Sequence, residues 1–281
     1  MMNLSRSIKK ESRPYKLLVL DLDDTLLNDD HLISEKNKEM LLKAQEKGVK
    51  VVLASGRPTL AMMQYALDLQ LEKYGSYIIS FNGAVILDME KQEIIYEQSL
   101  TIEEIHELHD FSKEHNIHII TYSEKGIVSE TDSEYIDVEI KLTGIPHHKV
   151  KSFKNEVQYP AVKCILLEDP SYLKIIEVKL KEKYSDLSVS ISKPFFLEVM
   201  PKNVDKAAGI GLVAKRLGIR QEEVIAVGNA GNDLSMIQYA GLGVWVDNVN
   251  PELRHHGDVI VASNNNDGVA EVVQRFILDY I

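Results

Sequence analysis

Residues 15–25 read YKLLVLDLDDT, an apolar run that ends in closely spaced aspartates. The run over residues 15–22 is short and rich in Leu and Val, which is typical of a strand that a parallel sheet buries on both faces. In open α/β sheets, ligands bind beyond the carboxyl ends of the strands. Asp21 and Asp23, two residues apart at that point, can bind a hard cation or divide the roles of nucleophile and proton donor. The alternative interpretation is a solvated acidic turn.

The chain on either side of this stretch alternates between strand and helix patterns. The predicted strands of this kind lie at 15–22, 49–54, 77–81, 223–227, 243–246 and 259–262. The predicted helices between and after them lie at 35–47, 59–69, 204–217, 233–240 and 269–280. Strands that alternate with helices predict a parallel sheet joined by right-handed crossovers.

The pattern changes between residues 88 and 192, where half-buried strands with polar alternation replace the apolar runs. Strands are predicted there at 94–100, 117–122, 161–167 and 187–191, with helices at 102–115 and 172–184. A loopy, charged region that contains residues 144–148 is predicted between the strands at 117–122 and 161–167. We therefore predict an α/β protein with a Rossmann-like parallel-sheet core and an inserted α+β cap. The core would comprise 15–87 and 193–281, the cap 88–192 would set substrate specificity, and 1–14 would be a polar tail.

Composition excludes several classes of function. The 32 Lys and Arg against 43 Asp and Glu give a net charge of −11, which disfavours nucleic acid as a partner because its phosphates are bound by cations. No apolar run approaches the roughly 18–20 residues of a membrane span. Cys164 is the single cysteine of the sequence, and the N-terminus lacks the apolar region of a secretory signal. We therefore expect a cytoplasmic protein with no membrane partner.

Polar residues also mark the ends of other predicted strands. Ser55 follows the second strand, Lys206 opens a helix, and the run from Gly228 to Asp233 joins a strand to a helix. Each has an ordinary explanation, since Ser55 or Asp233 could cap a helix and most lysines are exposed. Their joint occurrence at strand ends of one α/β unit favours a phosphate site, because hydroxyl groups, ammonium groups and the N–H groups at helix N-termini all bind phosphate.

Taken in order, these segments resemble the four motifs of the haloacid dehalogenase superfamily of phosphotransferases. The resemblance is specifically to the Cof-type phosphatases, which carry a large C2B-type cap between the second and third motifs. The first motif is similar to residues 21–25, the second to Ser55 with Gly56 and Arg57, the third to Lys206 and the fourth to residues 228–233. Two further segments, SFNGA at 80–84 and NNNDGV at 264–269, also match the group.

The resemblance implies a phosphatase that hydrolyses a small phosphorylated metabolite, such as a sugar phosphate, through an aspartyl-phosphate intermediate. Asp21 would be the nucleophile and Asp23 the general acid and base, with Ser55 and Lys206 completing the catalytic set. Mg²⁺ would be the cofactor, and its ligands would be Asp21, Asp23 through its backbone carbonyl, Asn229 and Asp233. The residues implied to bind substrate are Leu22, Ser55, Gly56, Arg57, Asn82, Lys206 and Asn232. The expected state is a monomer or homodimer.

The fourth motif departs from the family at one position. The group usually has Gly-Asp there, whereas this chain has Gly228 followed by Asn229. An amide oxygen can coordinate Mg²⁺ but brings no charge, so weaker metal binding is expected. Two alternatives stay open. One is a phosphomutase of the same superfamily, because some relatives with similar caps retain the phosphoryl group. The other, which Asn229 suggests, is a weakly active relative that binds or senses a ligand.

Overall fold

The computed structural model describes residues 15–279. The predicted tail at 1–14 and the end of the closing helix at Tyr280 lie outside the described residues. The strands are β1 Leu17–Leu20, β2 Lys50–Ala54, β3 Tyr77–Ser80, β4 Val85–Asp88, β5 Glu93–Glu97, β6 His118–Ser123, β7 Gly126–Ser129, β8 His147–Lys149, β9 Cys164–Leu167, β10 Leu187–Lys193, β11 Phe196–Pro201, β12 Val224–Gly228, β13 Leu242–Val246 and β14 Val259–Val261. The α-helices are α1 Glu35–Glu46, α2 Met63–Asp68, α3 Ile102–Glu114, α4 Glu134–Thr143, α5 Phe153–Glu156, α6 Pro170–Lys183, α7 Lys206–Leu217, α8 Leu234–Tyr239 and α9 Gly268–Val273.

The chain divides into two compact units. One comprises Met1–Val51 with Ala214–Ile281, and the other is the continuous segment Val52–Val213. The division falls inside β2 and inside α7, so each of these elements contributes residues to both units. Within residues 15–279, no helix combines the length and the hydrophobicity needed to cross a bilayer.

A parallel sheet forms the centre of the first unit, in the order β14-β13-β12-β1. Every residue of β1 and β12 is buried, as their uninterrupted apolar sequences predicted. Helix α1 begins at Ser34, which caps it because its hydroxyl accepts a hydrogen bond from the Asn37 N–H at 3.1 Å. Because β1 and β12 run side by side in the same direction, the loops after Leu20 and Gly228 leave the sheet at the same edge.

The second unit contains the strand order β2-β3-β4-β5, in which β2 and β3 are parallel. The last two strands reverse direction, since β4 pairs antiparallel with both β3 and β5. Strand β5 lies within the segment predicted as cap, yet it belongs to this sheet. Because β5 is an edge strand, its residues are exposed or half-buried, and its sequence therefore shows the polar alternation expected of a cap strand.

The second unit also holds a six-stranded sheet in the order β10-β11-β9-β6-β7-β8. One face packs on a cluster that includes Leu108 and Phe111 of α3 and Ile176 and Leu180 of α6. The other face packs on a second cluster that includes Ile136 of α4. This α+β sheet beside the parallel strands confirms the predicted fold class.

Two details of the middle segment differ from the sequence prediction. Strand β11 pairs with β10 and β9, although residues from 193 onward were assigned to the core. The region predicted as a charged loop instead contains β7, α4 and β8. Helix α4 starts at the cap residue Ser133 and ends at Gly144, whose φ of 69° suits a glycine. The exact limits of the cap domain, 88–192, stay a prediction.

Glu130 links three parts of the second unit. Its carboxylate lies 2.6 Å from Lys113 Nζ and 3.4 Å from His109 Nε2, and it accepts the Phe153 N–H at 2.6 Å. Burial opposes ionisation of Glu130, but these donors outweigh it and lower its pKa to about 2. The ionised carboxylate therefore ties α3 to the first turn of α5.

Candidate active site

The loop after β1 holds a buried carboxylate in a fixed orientation. Asp21 is 4% exposed, and its N–H donates to Val227 O at 3.0 Å. The hydroxyl of Thr25 lies 3.0 Å from Asp21 Oδ2 and 3.3 Å from Asn229 Oδ1. A threonine hydroxyl has one proton, so it donates to one of these oxygens at a time. The Asp21 carboxylate and the Asn229 amide therefore both border the Thr25 hydroxyl, while half-buried Asp23 lies two residues along the loop.

The loop after β12 folds around Asp233. The Asn229 and Ala230 N–H groups donate to Asp233 Oδ2 at 2.9 and 3.0 Å, and Asp233 is fully buried. A Cβ at Gly228 would lie 2.6 Å from both Cβ and Cγ of Asp233, so this position requires glycine. The Asp233 side chain makes no capping hydrogen bond to α8. The Asp233 carboxylate therefore binds the backbone that precedes the turn Gly231–Asp233 rather than the first turn of α8.

Distant asparagines support the loop after β1. Asn248 Nδ2 donates to Asp24 O at 2.7 Å, and Asn248 Oδ1 accepts the Asn264 N–H at 3.1 Å. Asn264 Nδ2 in turn donates to Leu27 O at 3.2 Å. Asp24 has a φ of 55°, which is uncommon for a residue other than glycine. These contacts give the segment around 264–269 a physical role, because it holds the loop that carries Asp21.

In the second unit, Ser55 lies at the centre of a compact loop after β2. It is 2% exposed, its N–H donates to Ile79 O at 2.9 Å, and its hydroxyl accepts the Arg57 N–H at 3.2 Å. The following helical turn has Pro58 as its N-cap, with no side-chain cap bond, so Ser55 does not cap that turn. Arg57 places its guanidinium 5.6 Å from the centre of the Tyr65 ring, which fixes the side chain against α2.

The turn after β3 connects this loop to the start of α7. The Asn82 N–H donates to Ser55 O at 2.9 Å and the Phe81 N–H to Arg57 O at 3.0 Å. Phe81, Asn82 and Gly83 all have positive φ, of 50°, 56° and 110°. A Cβ at Gly83 would collide with the backbone oxygen of Asp205, next to fully buried Lys206. The second unit therefore gathers Ser55, Gly56, Arg57, Asn82 and the first residue of α7.

The donor set of the first unit suits Mg²⁺. The Asp21 and Asp233 carboxylates, the Asn229 amide and the Asp23 carbonyl all offer oxygen, which this hard cation prefers. Among residues 15–279, no group of three or more His, Cys, Asp or Glu side chains is arranged to hold a metal. The set around Asp21 combines two carboxylates with the Asn229 amide and a backbone carbonyl, so it is not such a group.

Four further residues of the site region differ in burial and in whether the sequence predicted a role for them. Leu22 is fully buried, so its side chain belongs to the core, while Asn232 is exposed in the turn Gly231–Asp233. Thr25 was part of the first motif but had no assigned role. Asn248 was missed altogether, because a single asparagine between strands carries no local signal.

The sequence also matches a known protein family. The family model for haloacid dehalogenase-like hydrolases matches residues 18–273. The chain belongs to this family, and within it to the Cof-type hydrolases.

Individual relatives match over nearly the whole chain. "Putative phosphatase YxeH" of Bacillus subtilis (strain 168) is 33% identical over 272 residues, which cover 94% of this chain and 99% of the relative. The 5-amino-6-(5-phospho-D-ribitylamino)uracil phosphatase YcsE of the same organism is 28% identical, with coverage of 97% and 100%. A crystal structure of a haloacid dehalogenase-like hydrolase from Bacteroides thetaiotaomicron is similar with a TM-score of 0.89 and 36% identity, covering 93% of this chain and 99% of that one.

Proposed function

We propose that this protein is a Mg²⁺-dependent phosphatase that hydrolyses a small phosphorylated metabolite through an aspartyl-phosphate on Asp21. The observation that carries the proposal is the buried Asp21 carboxylate, held by the Thr25 hydroxyl beside the Asn229 amide. The names of the relatives support it, because one states phosphatase activity and another a phosphomonoester with a ribityl chain.

The reaction has two steps, and Asp23 is the general acid in the first and the general base in the second. An Asp21 oxygen forms a bond to phosphorus as the bond from phosphorus to the ester oxygen breaks, and Asp23 protonates the departing alkoxide. The Asp23 carboxylate then takes a proton from a water molecule as the oxygen of that water attacks phosphorus. The bond between phosphorus and Asp21 breaks, which releases inorganic phosphate and restores the Asp21 carboxylate and the protonated Asp23.

Cationic and hydrogen-bonding groups offset the repulsion between a carboxylate and a phosphate. Lys206 would neutralise the phosphoryl oxygens, and Ser55 with the N–H groups of its loop would hydrogen-bond to them. Mg²⁺, when held by Asp21, the Asp23 carbonyl, Asn229 and Asp233, supplies positive charge that lowers the cost of bringing the two anions together. Arg57 of the loop after β2 and Asn82 of the turn after β3 would then position the substrate.

A weakly active ligand-binding protein is the second candidate, and Asn229 is the observation that favours it. One fewer carboxylate weakens the attraction for a divalent cation. Turnover of p-nitrophenyl phosphate with Mg²⁺, abolished by EDTA, would exclude this candidate. Phosphate release from a sugar bisphosphate, rather than formation of its isomer, would exclude a phosphomutase.

The direct test of the proposal is the Asp21→Asn variant. A neutral amide is a poor nucleophile, so turnover of p-nitrophenyl phosphate should fall by at least about 10³-fold, and acid quenching should recover no ³²P on the protein. Asp24→Asn is the matched control, because Asp24 is exposed in the same loop and asparagine tolerates its positive φ. Retained turnover in a folded Asp21→Asn protein would refute the assignment of the nucleophile.

A further inference from the structure

The sheets of the second unit end in strands that differ in how their outer edges are protected. An edge strand presents N–H and C=O groups that can pair with another chain, and folded proteins protect such edges with short strands, charged side chains, prolines or bulges. The six-stranded sheet ends at β8 and β10, and the other strand order ends at β5. β8 has only three residues, His147–Lys149, and β5 has an exposed glutamate at each end. β10 has none of these features over its first five residues.

The sequence of β10 leaves its outer edge open to a further strand. With seven residues, Leu187–Lys193, it is longer than any other strand in residues 15–279, and no strand of that range pairs with its outer side. Residues 187–192 read LSVSIS and contain neither a charged residue nor a proline. The strand has a bulge only at its end, between Ile191 and Lys193. A long, regular and uncharged edge of this kind is a template for strand addition.

The two faces of β10 define the side chains that an added strand must carry. Leu187 and Val189 are buried and Ile191 is half-buried in the apolar cluster beneath α6, whereas Ser188 and Ser190 are exposed on the opposite face. Residues directly opposite each other in an antiparallel pair lie on the same face of the sheet. The added strand must therefore be apolar on one face and small and polar on the other. A second copy of β10 meets this requirement.

The charges at the two ends of β10 complement each other in such a pair. Asp186 directly precedes the strand and Lys193 ends it, and both are exposed. The bulge brings Lys193 to the same face as Ser190, because they pair with Phe196 and Glu198, which are two residues apart on β11. Antiparallel pairing aligns the start of one strand with the end of the other. Asp186 of each copy therefore lies near Lys193 of the other copy, at both ends of the pair.

The edge strand β5 shows the opposite charge pattern. Its exposed Glu93 and Glu97 stand at the two ends of the strand. Antiparallel pairing of two β5 strands would set the Glu93 carboxylate of each copy against the Glu97 carboxylate of the other, and like charges directly opposite are destabilising. Charge therefore favours pairing between two copies at β10 and opposes it at β5.

Exposed apolar side chains lie on the helix that covers β10. Helix α6 packs on the sheet through Ile176 and Leu180, while Ile175 and Val178 are 55% and 56% exposed. A two-fold axis perpendicular to the sheet keeps each face of the sheet on its own side. Pairing of two β10 strands would therefore place the two α6 helices beside each other, and Ile175 and Val178 offer apolar surface that this contact can bury.

We propose that β10 pairs antiparallel with β10 of a second copy of this chain, across a two-fold axis perpendicular to the sheet. The two sheets would join into one continuous sheet of twelve strands, six from each copy. Ser190, the middle residue of the strand, would lie opposite Ser190 of the second copy, and ion pairs between Asp186 and Lys193 would form at both ends. This homodimer does not depend on the proposed function.

The test is a charge swap, followed by sedimentation velocity of the full chain over a range of concentrations. Asp186→Lys and Lys193→Glu should each raise the dissociation constant of the dimer at least about tenfold, because each sets like charges against each other at both ends of the pair. The double variant restores opposite charges and should return to within about threefold of wild type. Within one copy the two residues are more than about 20 Å apart along the strand, so only a contact between copies explains such a rescue.

Two further variants test the middle of the strand and the specificity of the effect. Ser190→Lys lies beside Glu198 of its own chain but faces the same lysine of the second copy, so it should weaken the dimer at least about tenfold. Glu93→Lys is the matched control, since it changes an exposed charge on the other edge strand, β5, and should leave the dissociation constant unchanged. Circular dichroism and thermal unfolding verify that each variant folds.

Three outcomes would overturn the proposal. Wild-type protein that stays monomeric at about 100 µM would show that β10 does not pair with a second copy, and would leave this edge to a segment of a different protein. A dimer whose dissociation constant is the same in Asp186→Lys, Lys193→Glu and Ser190→Lys would be held by another surface. Single variants that weaken the dimer without rescue in the double variant would refute the antiparallel arrangement. If Ser190→Lys does not fold, the charge swap alone decides, because Asp186 and Lys193 stand at the exposed ends of the strand.

Discussion

The Thr25 hydroxyl should be worth one to two orders of magnitude in catalysis. It is fully buried and donates to a carboxylate oxygen of Asp21 at 3.0 Å. Hydrogen bonds to charged groups contribute about 1.5–3 kcal/mol, and each 1.36 kcal/mol is a factor of ten in rate. Thr25→Val keeps the shape of the side chain and removes the donor, so the carboxylate loses its fixed orientation. We expect kcat/KM for p-nitrophenyl phosphate to fall by roughly 10–150-fold.

The matched control is Thr25→Ser, which keeps the hydroxyl and removes one methyl group. It should retain kcat/KM to within about fivefold, with circular dichroism and thermal unfolding used to verify that both variants fold. Equal losses in the two variants would show that packing of the methyl group, and not the hydroxyl, matters. A Thr25→Val protein with nearly parental activity would refute the idea that Thr25 orients Asp21.

Three other perturbations have defined outcomes. Asn229→Asp should lower the Mg²⁺ concentration for half-maximal activity by about tenfold or more, since a carboxylate adds negative charge. If a Mg²⁺ titration gives the same half-maximal concentration for both proteins, Asn229 is not a ligand. Gly228→Ala should reduce kcat/KM by at least about 100-fold, because the new Cβ displaces the Asp233 carboxylate. Gly231→Ala is the control and should leave kcat/KM nearly unchanged, because a Cβ there meets nothing within 4 Å. Glu130→Gln should lower the free energy of unfolding at pH 7 by up to about 3 kcal/mol. Because the pKa of Glu130 is about 2 in the folded protein, its contribution to stability is full above about pH 4.5 and is lost as pH falls toward 2. In urea titrations, the difference in free energy of unfolding between Glu130→Gln and wild type should therefore be smaller at pH 3 than at pH 7. An equal difference at both pH values would contradict the ion-pair explanation.

Elements with strong local patterns were predictable from sequence. The strands β1 and β12 are uninterrupted apolar runs, and α1 begins at a serine that caps it. The edge strand β5 was assigned to the wrong sheet, because alternation shows that a strand is half-buried but not which sheet it joins. The sequence pattern predicts a loop for the segment with β7, α4 and β8, since two of its elements are only three or four residues long.

In the candidate site, too, residues beside strong local patterns could be predicted from the sequence, whereas contacts between distant residues could not. Asp21, Ser55, Lys206 and Asp233 stand next to predicted strands or helices, so their positions followed from the pattern and the family resemblance. The hydrogen bonds from Asn248 to Asp24 and from Asn264 to Leu27 join residues more than 220 positions apart. Such contacts depend on tertiary structure. No local periodicity encodes them, which explains why the support of the loop after β1 was missed.

The pairing of β1 with β12 has a consequence for biosynthesis. Leu17 is aligned with Val224, about 200 residues later in the chain. At roughly 5–20 residues per second, the ribosome would make the partner of the first strand about 10–40 s after the strand itself. The continuous segment Val52–Val213 is complete before that partner exists. The edge of β1 that β12 covers is therefore expected to stay open until then, and premature termination anywhere before Val224 should yield a chain prone to aggregation.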